Sequence, residues 1–156
     1  MTERLPEIDD LPHYASWLGV VKNYVKCQRL LTLRLAKLDL TPAQHEVLMA
    51  VARNEGCSQN ALARWLLVAK SNITGLLSRM GKDGLIRREA DPEDARGRCV
   101  FLTELGRQKM TLAVRVQADV VRLMTSDINE EESQALLRVM GRVGANLDRA
   151  LADDRV

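Results

Sequence analysis

The sequence predicts a mainly α fold carrying one small β-hairpin, and three observations lead there. Only 3% of the 156 residues are aromatic, and the recurring Leu, Ala and Val fall three or four positions apart, the repeat of a helix face. Two short helical patterns, "SQNALARWL" and "AKSNITGLLSRMGKDGL", follow one another across a tight turn near Leu67 and Val68. The only good strand candidates, "LIRRE" and "RCVFLT", come directly after them.

From Pro12 to about Leu38, the residues Trp17, Val21, Tyr24, Gln28, Leu31, Leu35 and Leu38 step alternately by four and three. One long helix is expected, its apolar stripe interrupted by Gln28. In "TPAQHEVLMAVARNEG", Thr41 is the expected N-cap, Pro42 takes the first helical position, Gln44 completes a capping box and Gly56 supplies the stop. A second helix over 42–53 follows. The two short patterns then make a helix-turn-helix closed by Gly84. Between the strands, "ADPEDARG" holds Pro92 and Gly97 as turn punctuation, and a hairpin placed after such a unit is a wing. Thr103 can cap the next helix, with Leu105, Leu112, Val116, Val120 and Leu123 as its stripe, and the last helix shows Leu136, Met140, Val143, Leu147 and Leu151.

The expected architecture is a single domain over 1–156, a winged helix-turn-helix lobe at 42–103 set between long N- and C-terminal dimerisation helices at 11–38 and 104–152. Those long helices carry more apolar surface than one small lobe can cover. A second copy of the chain, making a homodimer, would cover it.

The 23 basic and 21 acidic residues leave a net charge of +2, so only the placement of charge can point to a partner. Cys27, Cys57 and Cys99 are scattered, odd in number and without CxxC spacing, which fits a reducing cytoplasm better than a disulfide framework. The acidic N-terminal decapeptide has no apolar core, and no uncharged apolar run approaches the roughly 18 residues of a spanning helix. A cytoplasmic protein without a membrane partner is expected. Two isolated histidines, His13 and His45, with no Gly-rich phosphate loop and no nucleophile elbow, make no catalytic constellation. Neither an enzyme, nor a metal, nor a cofactor is expected.

Charge placement is uneven. Between Arg64 and Arg88 stand Arg64, Lys70, Arg79, Lys82, Arg87 and Arg88 against the one acid Asp83, a patch that duplex phosphates would attract. In "SNITGLLSRM", Ile73, Leu76, Leu77 and Met80 can face a core, leaving Ser71, Thr74, Gly75 and Ser78 on the opposite stripe. An ordinary surface helix carries long Lys and Glu there, whereas a helix in the major groove gains from short side chains that let its backbone approach base edges. Gly75 weakens the helix with no turn to require it, and close approach would offset that cost. Lys70, Ser71 and Asn72 near the helix start would meet phosphates or bases, with Arg79 toward the backbone. At the tip of the wing, Arg96 would enter a narrow minor groove, oriented by Asp94, with Arg98 beside it.

At this point "LTPAQHEVL", "SQNALARWLLVAKSNITGLLSRMGKDGLIRRE" and "DPEDARGRCVFLTELGR" resemble the multiple antibiotic resistance regulator (MarR) family of bacterial winged-helix repressors, in motif order over nearly the whole chain. The DP-x-D-x-R…LT-x-x-G run is the most specific part. The resemblance implies a transcriptional regulator, a repressor, acting as an obligate homodimer whose first helix and last two helices interlock, with two lobes reading a pseudo-palindromic operator in double-stranded DNA. Carried across by residue, it makes Ser71, Asn72, Thr74 and Ser78 groove-facing, Arg96 the minor-groove residue and Asp94 its support. Two positions depart from the pattern, Gly75 and Ala95 standing where many members have Arg.

The family also implies release by a small phenolic or lipophilic acid, or by oxidation of cysteine. Trp17, Tyr24 and Gln28 offer a wall and polar handles for such an effector, with His45 a further handle, although the same residues also suit a plain core. Cys99, beside Arg98 and near Arg96, is the first redox candidate, with an inert strand cysteine as its alternative. Cys57 is the second, at a helix start that would acidify it. A different function class stays open beside the regulator: a winged-helix module whose basic face binds an acidic protein partner.

Overall fold

A computed structural model of the chain describes residues 8, 10–91 and 97–153. The expected wing-tip residues Asp94 and Arg96, and Ala95 between them, lie outside the described residues. The elements are α1 (Tyr14–Leu35), a 3-10 turn (Ala36–Leu38), α2 (Pro42–Arg53), β1 (Cys57–Ser58), α3 (Gln59–Trp65), α4 (Lys70–Lys82), β2 (Ile86–Ala90), β3 (Arg98–Leu102), α5 (Glu104–Met124) and α6 (Glu130–Asp153). The fold is the mainly α winged helix-turn-helix that the periodicity predicts, with two differences. The first helix begins at Tyr14 rather than Pro12 and tightens to 3-10 over its last three residues. The wing is more than a hairpin, because β1 joins it in an antiparallel sheet of order β1-β3-β2, with Cys57 opposite Val100 and Ser58 opposite Cys99. Two residues are too few for any period to show, and Ser58 also serves as the N-cap of α3, its Oγ accepting from Ala61 N at 3.2 Å.

The chain forms two compact units divided between Val120 and Val121. In the first, Leu35, Val47, Leu48, Leu62, Ile73, Leu77, Met80 and Val100 make one fully closed core from α1 to β3. The capping box on α2 forms as expected, Gln44 N donating to Thr41 Oγ1 and Thr41 N to Gln44 Oε1. Helix α5 meets this core through Ala113, with Met110 and Val116 packed against it, and also buries Gly106 and Val120, while Leu105 and Leu112 of the expected stripe stay exposed. Gly106 allows the closest approach in the fold: a Cβ there would lie 2.0 Å from the Leu85 carbonyl oxygen. Thr103 holds the same corner, its hydroxyl donating to Gly84 O at 2.6 Å and accepting from Gly106 N at 3.0 Å. In the second unit, α6 buries no residue, and Leu136, Leu147 and Leu151 are more than half exposed.

Candidate nucleic-acid interface

Helix α4 shows its two faces as the spacing requires. Ile73, Leu77 and Met80 are buried and Leu76 is half-buried, while Ser71 and Thr74 are exposed and Gly75 and Ser78 half-exposed. Thr74 Oγ1 donates to Lys70 O at 2.8 Å, so outward it offers a methyl group and an acceptor oxygen. A Cβ at Gly75 would meet only the Arg79 guanidinium, at 3.7 Å, so nothing in the lobe requires a glycine there. Asn72 and Arg79 stand to one side of this stripe, lining with Ala43, Glu46, Leu66 and Val68 a groove of about 210 Å³ against α2.

Electrostatics divide the lobe's cations into two sets. Arg64, Lys70, Arg79, Lys82 and Arg88 are exposed and make no ion pair among the described residues. Lys82, eleven positions after Ser71, continues the bare stripe of α4, and Arg88 extends the patch onto β2; sequence spacing alone did not single them out as site residues. Asp83, the one acid of the segment, accepts from Gln44 Nε2 at 3.3 Å. Arg87 belongs to the second set: it pairs with Glu89 and lies over the Phe101 ring at 4.4 Å. Arg107 and Lys109 are likewise occupied. Glu55 Oε1 accepts from Arg107 Nη2 at 2.6 Å and from Leu102 N at 3.2 Å, and the guanidinium holds that carboxyl below the usual glutamate range. Lys109 Nζ caps the end of the first helix through Leu38 O at 2.5 Å.

Residues 38–97 match the MarR family profile. Transcriptional regulator HosA of Escherichia coli O111:H- is 31% identical over 105 residues, covering 67% of this chain and 78% of HosA. The chain belongs to the MarR family. An HTH-type transcriptional regulator of Bacillus cereus is 29% identical over 128 residues, covering 81% of this chain and 85% of its own length. A mutant MarR from E. coli complexed with operator DNA superposes with a TM-score of 0.74 at 28% identity, covering 86% of this chain and 98% of that one. The protein is therefore a MarR-family transcriptional regulator.

Trp17 stacks on Tyr14 at 5.4 Å and lines, with Ile8, Leu11, Pro12 and His13, a cup of about 460 Å³ whose lining excludes Tyr24, Gln28 and His45. Tyr24 is exposed and Gln28 half-buried on α1. His45 is 3% exposed, its Nε2 3.1 Å from Gln117 Oε1, and its Nδ1 has no hydrogen-bond partner among the described residues. Burial pushes the Cys57 thiol up, against the acidification expected at a helix start, with a backbone hydrogen bond acting the other way. Cys99 is half-buried at mid-sheet, opposite Ser58 and Glu89. Arg98 is exposed at the loop end of β3, opposite Ala90, and donates to Gly97 O at 2.8 Å. No described helix is long and apolar enough to cross a membrane.

Proposed function

We propose that this regulator is a cytoplasmic homodimeric repressor that binds a pseudo-palindromic operator in double-stranded DNA and releases it on binding a small aromatic or lipophilic acid. The observation that carries the DNA reading is the outer stripe of α4, small and polar, with a glycine that the described lobe does not need and cations around it that make no ion pair among the described residues. Thr74, Gly75 and Ser78 line the major groove; Lys70, Ser71 and Asn72 meet phosphates and bases at the helix start, and Arg79 reaches the backbone. Arg96, oriented by Asp94 and flanked by Arg98, enters the minor groove. The MarR complex with operator DNA supports the same partner. Support for the homodimer comes from α6, whose apolar stripe Leu136, Val143, Leu147 and Leu151 is exposed among the described residues. Two lobes would then read half-sites about 34 to 36 Å apart.

Oxidation of Cys99 is the second reading of release, favoured by its half-buried place beside the exposed Arg98. Footprinting across the protein's own promoter region, at two salt concentrations and with or without reductant, tests the proposal. A discrete palindromic footprint that weakens with salt is expected. Loss of the footprint on oxidation, abolished by Cys99→Ser, would favour the cysteine, and no protection under any condition would transfer the basic face to an acidic protein partner.

A further inference from the structure

The turn between α3 and α4 closes in a Schellman arrangement. Val68 N donates to Ala63 O at 3.1 Å and Leu67 N to Arg64 O at 3.3 Å, which places Leu67 at the left-handed position with φ 53°. Among the described residues the other left-handed positions hold Gly56, Gly84, Asp39 and His13, residue types that tolerate that region. A leucine does not, because its Cβ crowds the following carbonyl. Core packing does not compensate, since Leu67 is 91% exposed, the most exposed large apolar residue described. Trp65 and Val68 beside it are also exposed, and the cations Arg64 and Lys70 bracket the three. Strain and hydration are both relieved in the free protein by a glycine, so what retains the leucine acts when something is bound.

We infer that Leu67 is a specificity-determining DNA contact, an apolar knob that packs against a thymine methyl group next to the bases met by the start of α4. The inference rests on the operator reading above and extends it to a residue outside the polar stripe. A major groove presents methyl groups within a frame of phosphates, and an apolar knob bracketed by cations that make no ion pair among the described residues is complementary to that surface. An acidic protein surface would satisfy the cations and leave the knob in water.

The test begins with duplexes enriched by the wild-type protein from a random-sequence pool, in which each thymine is then replaced by deoxyuridine. One such replacement, in a single half-site, should weaken wild-type binding about three- to fivefold, the effect of one buried methyl group. Leu67→Gly should unfold at the same or a higher temperature, bind the unmodified duplex more weakly and show no response at that thymine; Leu67→Met should restore the response. A Leu67→Gly protein with the wild-type affinity and the wild-type thymine profile overturns the inference while leaving the operator reading intact. Failure of the wild-type protein to enrich any sequence overturns both.

Discussion

Helices α4 and α6 are both amphipathic, and they leave opposite halves of themselves unsatisfied. Helix α4 buries its apolar half within its own lobe and leaves bare a polar half too small and too short for an ordinary solvated surface. Helix α6 buries nothing, although its sequence repeats Leu136, Val143, Leu147 and Leu151 along one stripe. The difference separates two kinds of partner. A helix whose apolar side is met and whose polar side is stripped to Ser, Thr and Gly is shaped for an approaching backbone of polar groups, whereas one whose apolar side is unmet needs a matching apolar surface, and a second copy supplies one by symmetry.

The largest effect should come from Leu147→Glu, which sets a carboxylate in the middle of the α6 stripe. A homodimer would contain two, and each ion withdrawn from water costs several kcal/mol. Light scattering should report one chain where the wild type reports two, with operator affinity collapsing because paired half-sites are no longer bound together. A variant of unchanged mass would remove α6 from the interface.

Gly106→Ala should break the lobe without touching either outer face. Its methyl group would enter the space of the Leu85 carbonyl, which is backbone and cannot swing aside, so a cost of about 3 kcal/mol is expected. The thermal midpoint should fall by roughly 6 to 12 °C for a chain of this size. Below that midpoint the molecule should remain a dimer, and a variant that loses its partner first would show that α5 couples the two regions.

The same contrast explains how much was legible beforehand. Helix α2 was legible to the residue, because Thr41, Pro42 and Gln44 specify its start through contacts three positions apart. The α4 stripe was legible because periodicity alone sorts Ile73, Leu77 and Met80 from Ser71, Thr74 and Ser78. Strand β1 was not, since a two-residue strand exists only through its pairing with residues some 40 positions later. The division of cations was equally hidden: Arg87 and Arg88 are neighbours in sequence, and only the pairing of Arg87 with Phe101 across the sheet shows which is occupied. The glycine of the LT-x-x-G run is recognisable as a motif, but its cause, the approach of α5 to Leu85, is a tertiary fact.

Gly75→Ala should produce two small effects of opposite sign. Alanine is better than glycine in a helix interior by roughly 1 kcal/mol, and at this position the new methyl group meets only the flexible end of Arg79, so the midpoint of denaturation should rise. The same methyl group would stand between the helix backbone and the base edges, so operator affinity should fall. A variant that gains stability and binds DNA as tightly as the wild type would make the outer face of α4 an ordinary surface and erase its contrast with α6.

The smallest effect should come from Glu55→Gln, at the root of the wing. Arg107 and the Leu102 amide both hold the Glu55 carboxylate, so its pKa is lowered in the folded chain. A group with a depressed folded pKa contributes stability above its unfolded value, about 4.3, and loses that contribution as pH falls through the folded value. The gap between wild type and Glu55→Gln in denaturant midpoint should therefore be constant at neutral pH and close on acidification below the ordinary glutamate range. Both partners are partly exposed and screened by solvent, which keeps the gap small. It should also be independent of protein concentration, because the pair lies within one lobe, whereas any destabilisation through α6 should grow on dilution as the dimer is lost. A Glu55→Gln effect that deepened on dilution would mean that the wing root and the dimer interface are not separate regions.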